Sequence, residues 1–338
     1  MKRINITFTD FWEGFNYFDN FIVRALSNKY EVNIVEYTKD RVLDVDILFY
    51  SCFGMNHLFT DCVKVFYTGE NIVPNFNECD YAIGFDYIDF GDRYIRYPLY
   101  NACYREDVSK MMNKKPVTKN KFCATVVSNN VAADPFREIF FHELSKYKQV
   151  DSGGKWLNNI GISNGVDDKI GFQSDYKFVL AFENSSSPGY VTEKIVQAYA
   201  SNAIPIYWGD PFIFNTFNPN SFICVTEANF EDAIQRIIEC DTDDYLYDSI
   251  MKEPAIVDEC QHIEQYDLRL EKWLCSILDK EYEKRKKYNR YGKNKLLIEE
   301  RKEKEIFFSK YANESGAMSY KKIGQNIINK YTRIMNIK

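Results

Sequence analysis

Asn184, Tyr190, Thr192, Glu193 and Lys194 fall within eleven positions of one another, in the string FENSSSPGYVTEK. An amide and a hydroxyl can hydrogen-bond phosphate or hydroxyl oxygens, a carboxylate accepts from ribose or sugar hydroxyls, and an ammonium supplies fixed positive charge. That set suits the diphosphate of a nucleotide sugar, with Tyr190 placed to cover it. A plainer alternative is a helix start in which Thr192 and Glu193 are capping residues and Lys194 is solvated.

The elements needed to position these residues are legible around them. Phe178–Phe182 reads as an interior strand ending at Glu183 and Asn184, and Ser185–Gly189 as a small turn. A helix is predicted to begin near Tyr190, its apolar positions Val191, Ile195, Ala198 and Tyr199 recurring every three or four residues, and Ile204–Trp208 resumes an extended run. In a parallel sheet, ligands sit beyond the carboxyl end of such a strand, where a helix start offers unpaired N–H groups to an anion. Further strands are expected at Ile4–Thr9, Tyr30–Glu36, Asp46–Tyr50, Val63–Thr68, Tyr81–Gly84 and Phe122–Val127. Helices are expected at Pro135–Lys146, Asp168–Asp175, Asn229–Cys240 and His262–Lys280, the last crossing between domains. Hydrophilic Ser109–Asn120, with Pro116, is the expected linker. Two blocks of alternating strands and helices imply an α/β protein of two doubly wound domains facing a cleft.

FENSSSPGYVTEK followed by IPIYWG resembles the donor-binding signature of the α-1,3-fucosyltransferases, glycosyltransferase family 10, and of their bacterial members in particular. The segments Phe66–Asn71 (FYTGEN) and Asp80–Asp86 (DYAIGFD) also resemble family segments, and the block from Ser128 to Gly154 resembles the one carrying a phosphate-binding arginine, here Arg137. The resemblance covers roughly residues 60–225. It implies the GT-B fold of two Rossmann-like domains, with residues 1–118 binding the acceptor, 119–280 binding GDP-fucose, and 281–338 forming a basic helical tail. The turn Ser185–Gly189 departs from relatives that carry bulkier residues there.

The resemblance further implies an inverting single displacement from GDP-β-L-fucose onto the GlcNAc of an N-acetyllactosamine-type acceptor, as in Lewis antigens on a bacterial lipopolysaccharide. Glu70 matches the family glutamate proposed as general base, and Arg137, Asn184, Tyr190, Glu193 and Lys194 match donor-contacting positions, with Thr192 beside them. For Glu70 the alternative role is a loop carboxylate that binds the acceptor or caps nearby N–H groups. An α-1,4 linkage, another GDP-sugar, or a non-catalytic glycan-binding relative are the competing functions. Acceptor choice is expected to rest on the aromatic loops Trp12–Phe18 and Phe85–Tyr97.

No metal is expected to be obligatory, a divalent cation such as Mn acting at most as a stimulant. Asp44-Val45-Asp46 and Asp241-Thr242-Asp243 have the Asp-x-Asp form used by metal-dependent transferases, but both read as solvated loops. His57, His142 and His262 lack ligand spacing. Glu183 and Glu193 enclose nine residues, not the seven of many retaining enzymes.

Hydrophobic residues at 45% of 338 argue for an ordered globular protein of about two domains. Nine scattered cysteines without a C-x-x-C pair fit a reducing compartment. No apolar run reaches membrane-spanning length, and Met1-Lys2-Arg3 does not open a secretory signal, so a cytoplasmic location is expected. Residues 281–338 hold 16 Lys+Arg against 7 Asp+Glu. There Tyr320, Ile323, Ile327, Tyr331 and Ile334 recur at helical spacing between lysines and arginines. This pattern suits peripheral docking on the anionic inner face of a bacterial inner membrane, or packing on the chain's own body or a second subunit. It shows no heptad repeat, so no tail-mediated dimer is predicted. The acidic body makes nucleic acid a poor partner.

Overall fold

A computed structural model describes residues 1–38, 44–128, 133–256 and 263–314. The first half forms β1 (Lys2–Thr9), α1 (Phe21–Ser27), β2 (Tyr30–Ile34), β3 (Ile47–Tyr50), β4 (Lys64–Tyr67), β5 (Tyr81–Gly84) and β6 (Tyr94–Arg96). All six strands are parallel, in the order β2-β1-β3-β4-β5-β6. Alternation with period two sends Ile47, Phe49, Val65, Tyr67, Tyr81 and Ile83 to one face and Leu48, Tyr50, Phe66 and Ala82 to the other. Both faces are covered, which is why these strands read as unbroken apolar runs.

Two short helices, α2 (Leu99–Cys103) and α3 (Arg105–Met112), lead across to the second half. The expected linker therefore begins too early: Ser109–Met112 is the end of α3, whose Val108 and Met111 are buried against the second sheet's helices. The extended crossing starts at Asn113.

The second sheet comprises β7 (Lys121–Thr125), β8 (Val150–Ser152), β9 (Tyr176–Phe182), β10 (Ile204–Trp208) and β11 (Ile223–Cys224), parallel in the order β11-β10-β9-β7-β8. Its helices are α4 (Phe136–Ser145), α5 (Lys169–Gln173), α6 (Glu193–Ala200), α7 (Phe230–Thr242) and α8 (Asp244–Lys252). Phe178, Leu180, Phe182, Ile204, Ile206 and Trp208 pack under α4, α7 and α8, while Val179, Ala181 and Tyr207 face α6 and α3. Pro205 is tolerated inside the sheet because it pairs only with Val179; pairing to β11 begins one residue later, at Ile206.

The chain then returns. In α9 (Ile263–Leu278), Tyr266, Leu270, Leu274, Ile277 and Leu278 lie on one face and enter the core of the first sheet beside Ile22 and Leu26 of α1. After it come α10 (Tyr282–Arg285) and α11 (Gly292–Glu314). Basic residues of this segment are held by the acidic first half: Arg285 by Asp46 at 3.0 Å, Arg290 by Asp80 at 3.0 Å and Asp61 at 2.8 Å, and Arg301 by Glu78. The predicted helix through Tyr320–Ile334, and His262, lie outside the described residues. Among the described residues eight cysteines are free thiols, and no helix is long and apolar enough to cross a membrane.

Candidate active site

The chemistry of the second sheet starts where β9 ends. Glu183 and Asn184 follow Phe182 at the carboxyl edge, and Glu183 is completely buried. A carboxylate taken out of water costs several kcal/mol unless it is paired, and three donors meet this one. Thr192 N–H donates to Oε1 at 2.8 Å; the Thr192 hydroxyl and the Lys194 ammonium donate to Oε2 at 2.6 and 2.9 Å. Lys194 also donates to Thr192 Oγ1 at 2.9 Å. The neighbouring strand leaves room only for glycine, since a Cβ on Gly209 would stand 2.5 Å from Glu183 Cγ.

This arrangement changes the expected helix start. The helix begins at Glu193 with Thr192 as its N-cap, not near Tyr190, and the Thr192 N–H is already engaged by Glu183. The preceding residues turn instead: Tyr190 N–H and Val191 N–H donate to the carbonyls of Ser187 and Gly189. Gly189 has φ +85°, and a side chain there would strike the Phe85 carbonyl of the first half at 2.2 Å. The protein's own carboxylate thus occupies part of the helix's anion site.

Cations gather around it. Glu193 lies 3.8 Å from Lys194 and 3.6 Å from Lys169 of α5. Burial alone would raise the Glu193 carboxyl, but Lys194 and then Lys169 pull it down to about 2. Burial works against the charge on Lys194, yet Glu183 and Glu193 prevail and hold its ammonium above the ordinary lysine range. Lys169 is pushed down, by burial first, with Lys194 adding like-charge repulsion. Arg137, in the first turn of α4, is buried; its guanidinium donates to Asn184 Oδ1 at 2.9 Å and lies 5.3 Å from the Trp156 ring centroid. Three cations and two carboxylates thus gather at the end of β9.

The first half supplies the opposite wall. Glu70 sits exposed in the loop after β4, its N–H donating to Thr68 Oγ1 at 3.1 Å. Next to it Asn71 Nδ2 donates to Ser185 Oγ at 2.8 Å, joining this loop to the turn after β9. Tyr190 is buried with its ring 5.3 Å from Phe85; burial foremost, with Glu183 and more weakly Glu70, raises its hydroxyl well above the ordinary tyrosine value. Glu70, Asn184, Tyr190, Thr192, Glu193 and Lys194 all line one cleft of about 680 Å³ between the two halves, together with Trp12, Phe53 and Tyr104. Arg137 approaches it through Asn184.

A family model described as the C-terminal part of glycosyltransferase family 10 (fucosyltransferase) matches residues 116–294, and the α-(1,3)-fucosyltransferase FucT N-terminal domain matches residues 6–104. The chain belongs to glycosyltransferase family 10. This family 10 chain is 41% identical over 215 residues to the α-(1,3)-fucosyltransferase FucT of Helicobacter pylori, a match covering 53% of the chain and 44% of that protein. The chain spans less than half the length of the curated relatives it matches. A crystal structure of an α1,3-fucosyltransferase superposes with a TM-score of 0.70 at 30% identity, covering 83% of this chain and 91% of that one. The crystal structure of an α1,3-fucosyltransferase with GDP-fucose gives 0.68 at 30%, covering 83% and 92%. The architecture of the family 10 chain is accordingly GT-B, two parallel-sheet α/β domains.

In each Asp-x-Asp string one aspartate is solvated as expected, Asp44 and Asp243 both being exposed, while the other is held in the structure. Asp46 pairs with Arg285 and accepts from Asn5 N–H at 3.0 Å. Asp241 is buried with Lys148, Tyr147 and Lys177, and Asp243 caps α8. Sequence reasoning missed Glu183 as the hub and Lys169 as a third cation. A lone acid at the end of an apolar strand was the available signal for Glu183, because its burial demands partners. Nothing local marks Lys169, which α5 brings to α6 from 24 positions upstream of Glu193.

Proposed function

We propose that the protein is an inverting α-1,3-fucosyltransferase that moves L-fucose from GDP-β-L-fucose to the GlcNAc hydroxyl of an N-acetyllactosamine-type acceptor on a surface glycan. One observation carries the reading: Glu70 of one domain and Glu193 and Lys194 of the other line a single cleft. Glu70 takes the proton from the acceptor hydroxyl as that oxygen attacks the anomeric carbon on the face opposite GDP. The diphosphate leaves with growing negative charge, which Lys194, Lys169 and Arg137 meet as fixed, preorganised cations. Asn184 and Glu193 hold phosphate and sugar hydroxyls, and Tyr190 with Trp12 limits water. No metal is required in this scheme; Mn stimulates at most.

The test is a screen of GDP-fucose with lactose, N-acetyllactosamine and its β-1,3 isomer, with and without EDTA, and linkage read by NMR. An α-1,3 product that survives EDTA supports the reading. An α-1,4 product, transfer from another GDP-sugar only, or GDP-fucose binding without turnover on any acceptor refutes it. The basic segment 315–338 adds a membrane-docking role, tested by co-sedimentation with phosphatidylglycerol vesicles; equal binding after deletion of 315–338 removes that role.

A further inference from the structure

A second pocket, of about 790 Å³, opens beside the cleft, in the first domain, within the size range of about 300–1,000 Å³ usual for ligand sites. It sits where the carboxyl ends of β1, β2 and β3 meet. Since β2 and β3 flank β1 on opposite sides, this is the topological switch point of the sheet, where open α/β sheets bind ligands.

Phe53 lines both the pocket and the cleft, so the two adjoin. Its exposed face is joined on the pocket wall by Tyr17, stacked on Phe8 at 5.7 Å, and by Phe18, which is 73% exposed. The loop carrying Phe53 is held rigid by Asp10. That residue takes φ +61°, a conformation uncommon outside glycine, and so aims its carboxylate at Asn56 N–H (3.0 Å), His57 N–H (2.9 Å) and His57 Nδ1 (2.7 Å). Strained backbone held by dense hydrogen bonding is a feature of binding sites. Among the described residues, the charged groups on the wall are acids, of which Glu36 and Glu305 are accessible while the Asp10 side chain is buried in its bonds to Asn56 and His57.

We infer that this pocket is an extension subsite for the neutral sugars of an oligosaccharide acceptor beyond the unit being fucosylated. Exposed aromatic rings offer stacking surfaces for the C–H faces of pyranoses, carboxylates accept from sugar hydroxyls, and the acidic wall repels sialylated or phosphorylated chains. The inference rests on the transferase reading for the occupant of the cleft.

The test compares N-acetyllactosamine with the neutral hexasaccharide of three such units. Wild type has a KM for the hexasaccharide about tenfold lower than for the disaccharide, and Phe18→Ala abolishes that advantage, bringing the two KM values within about twofold of each other. Saturation-transfer NMR without GDP-fucose reads the same contact independently of turnover: hexasaccharide binds wild type more tightly than Phe18→Ala. Glu36→Lys, at an exposed position, relaxes discrimination against a sialylated hexasaccharide. Equal KM values for both acceptors in wild type, equal loss on both in Phe18→Ala, or hexasaccharide binding that ignores Phe18 overturns the subsite. Absence of transfer to either acceptor with Phe18-dependent binding intact strikes the catalytic reading alone.

Discussion

Replacing Lys194 by methionine keeps the unbranched stem and removes the ammonium that sits 2.9 Å from the buried carboxylate of Glu183. Two carboxylates lose support at once. Breaking a buried pair by deleting one partner costs about 3–5 kcal/mol. Glu193 gives an independent figure: holding its carboxyl at about 2, against an ordinary 4.5, is worth roughly 3 kcal/mol at about 1.4 kcal/mol per factor of ten in acidity, and Lys194 is the larger of its two cations. The sign of the pH dependence follows. A depressed carboxyl stabilises the fold above its ordinary value and stops doing so as pH falls toward about 2, so wild type loses this contribution in acid. The deficit measured by urea unfolding, followed by tryptophan fluorescence, is therefore about 3–5 kcal/mol near pH 7.5 and clearly smaller near pH 3, where wild type has itself lost much of the Glu193 contribution. A deficit below about 1 kcal/mol refutes the view that the buried Glu183 depends on Lys194, and one equal at the two pH values refutes the coupling of Glu193 to the same ammonium.

Glu70→Gln lowers kcat by about 10²–10⁴-fold while GDP affinity, read by calorimetry, is unchanged. Gly209→Ala forces a methyl group against Glu183 Cγ and the Tyr207 hydroxyl and costs about 1–3 kcal/mol, seen as a lower melting temperature that GDP only partly restores. Arg290→Ala removes the guanidinium from the fully buried Asp80, leaving it the N–H groups of Lys64, Lys287 and Tyr288, and destabilises the first domain by about 3 kcal/mol; limited proteolysis then cuts the chain after α9 at protease concentrations that leave wild type intact.

The architecture was legible because period-two burial on two faces gives short continuous apolar runs, and Phe178–Phe182 and Tyr81–Gly84 were placed correctly on that signal. Strands β6 and β8 escaped notice: three residues each, containing Arg96 and Asp151, they carry no run to detect. The start of α6 lies later than expected because Val191 continues the helix's apolar spacing, while the turn runs on through Val191, whose N–H is bonded to the Gly189 carbonyl. Within the site, residue types were readable and pairings were not. Lys194 is recognisable as a cation from the string TEK, but that it leans on Glu183 depends on a strand, a turn and a helix cap meeting in space.

The return of α9 to the first sheet has a consequence for synthesis. The six strands it helps to cover are complete by Arg96, yet Leu270, Leu274 and Ile277 emerge from the ribosome some 170 or more residues later, roughly 10–35 s at 5–20 residues per second. Through that interval the nascent first domain carries an uncovered apolar flank, and its final closure waits until the second domain has been translated. Nascent-chain stalling before residue 263 yields a binder of hydrophobic dyes, whereas stalling well after Leu278 does not.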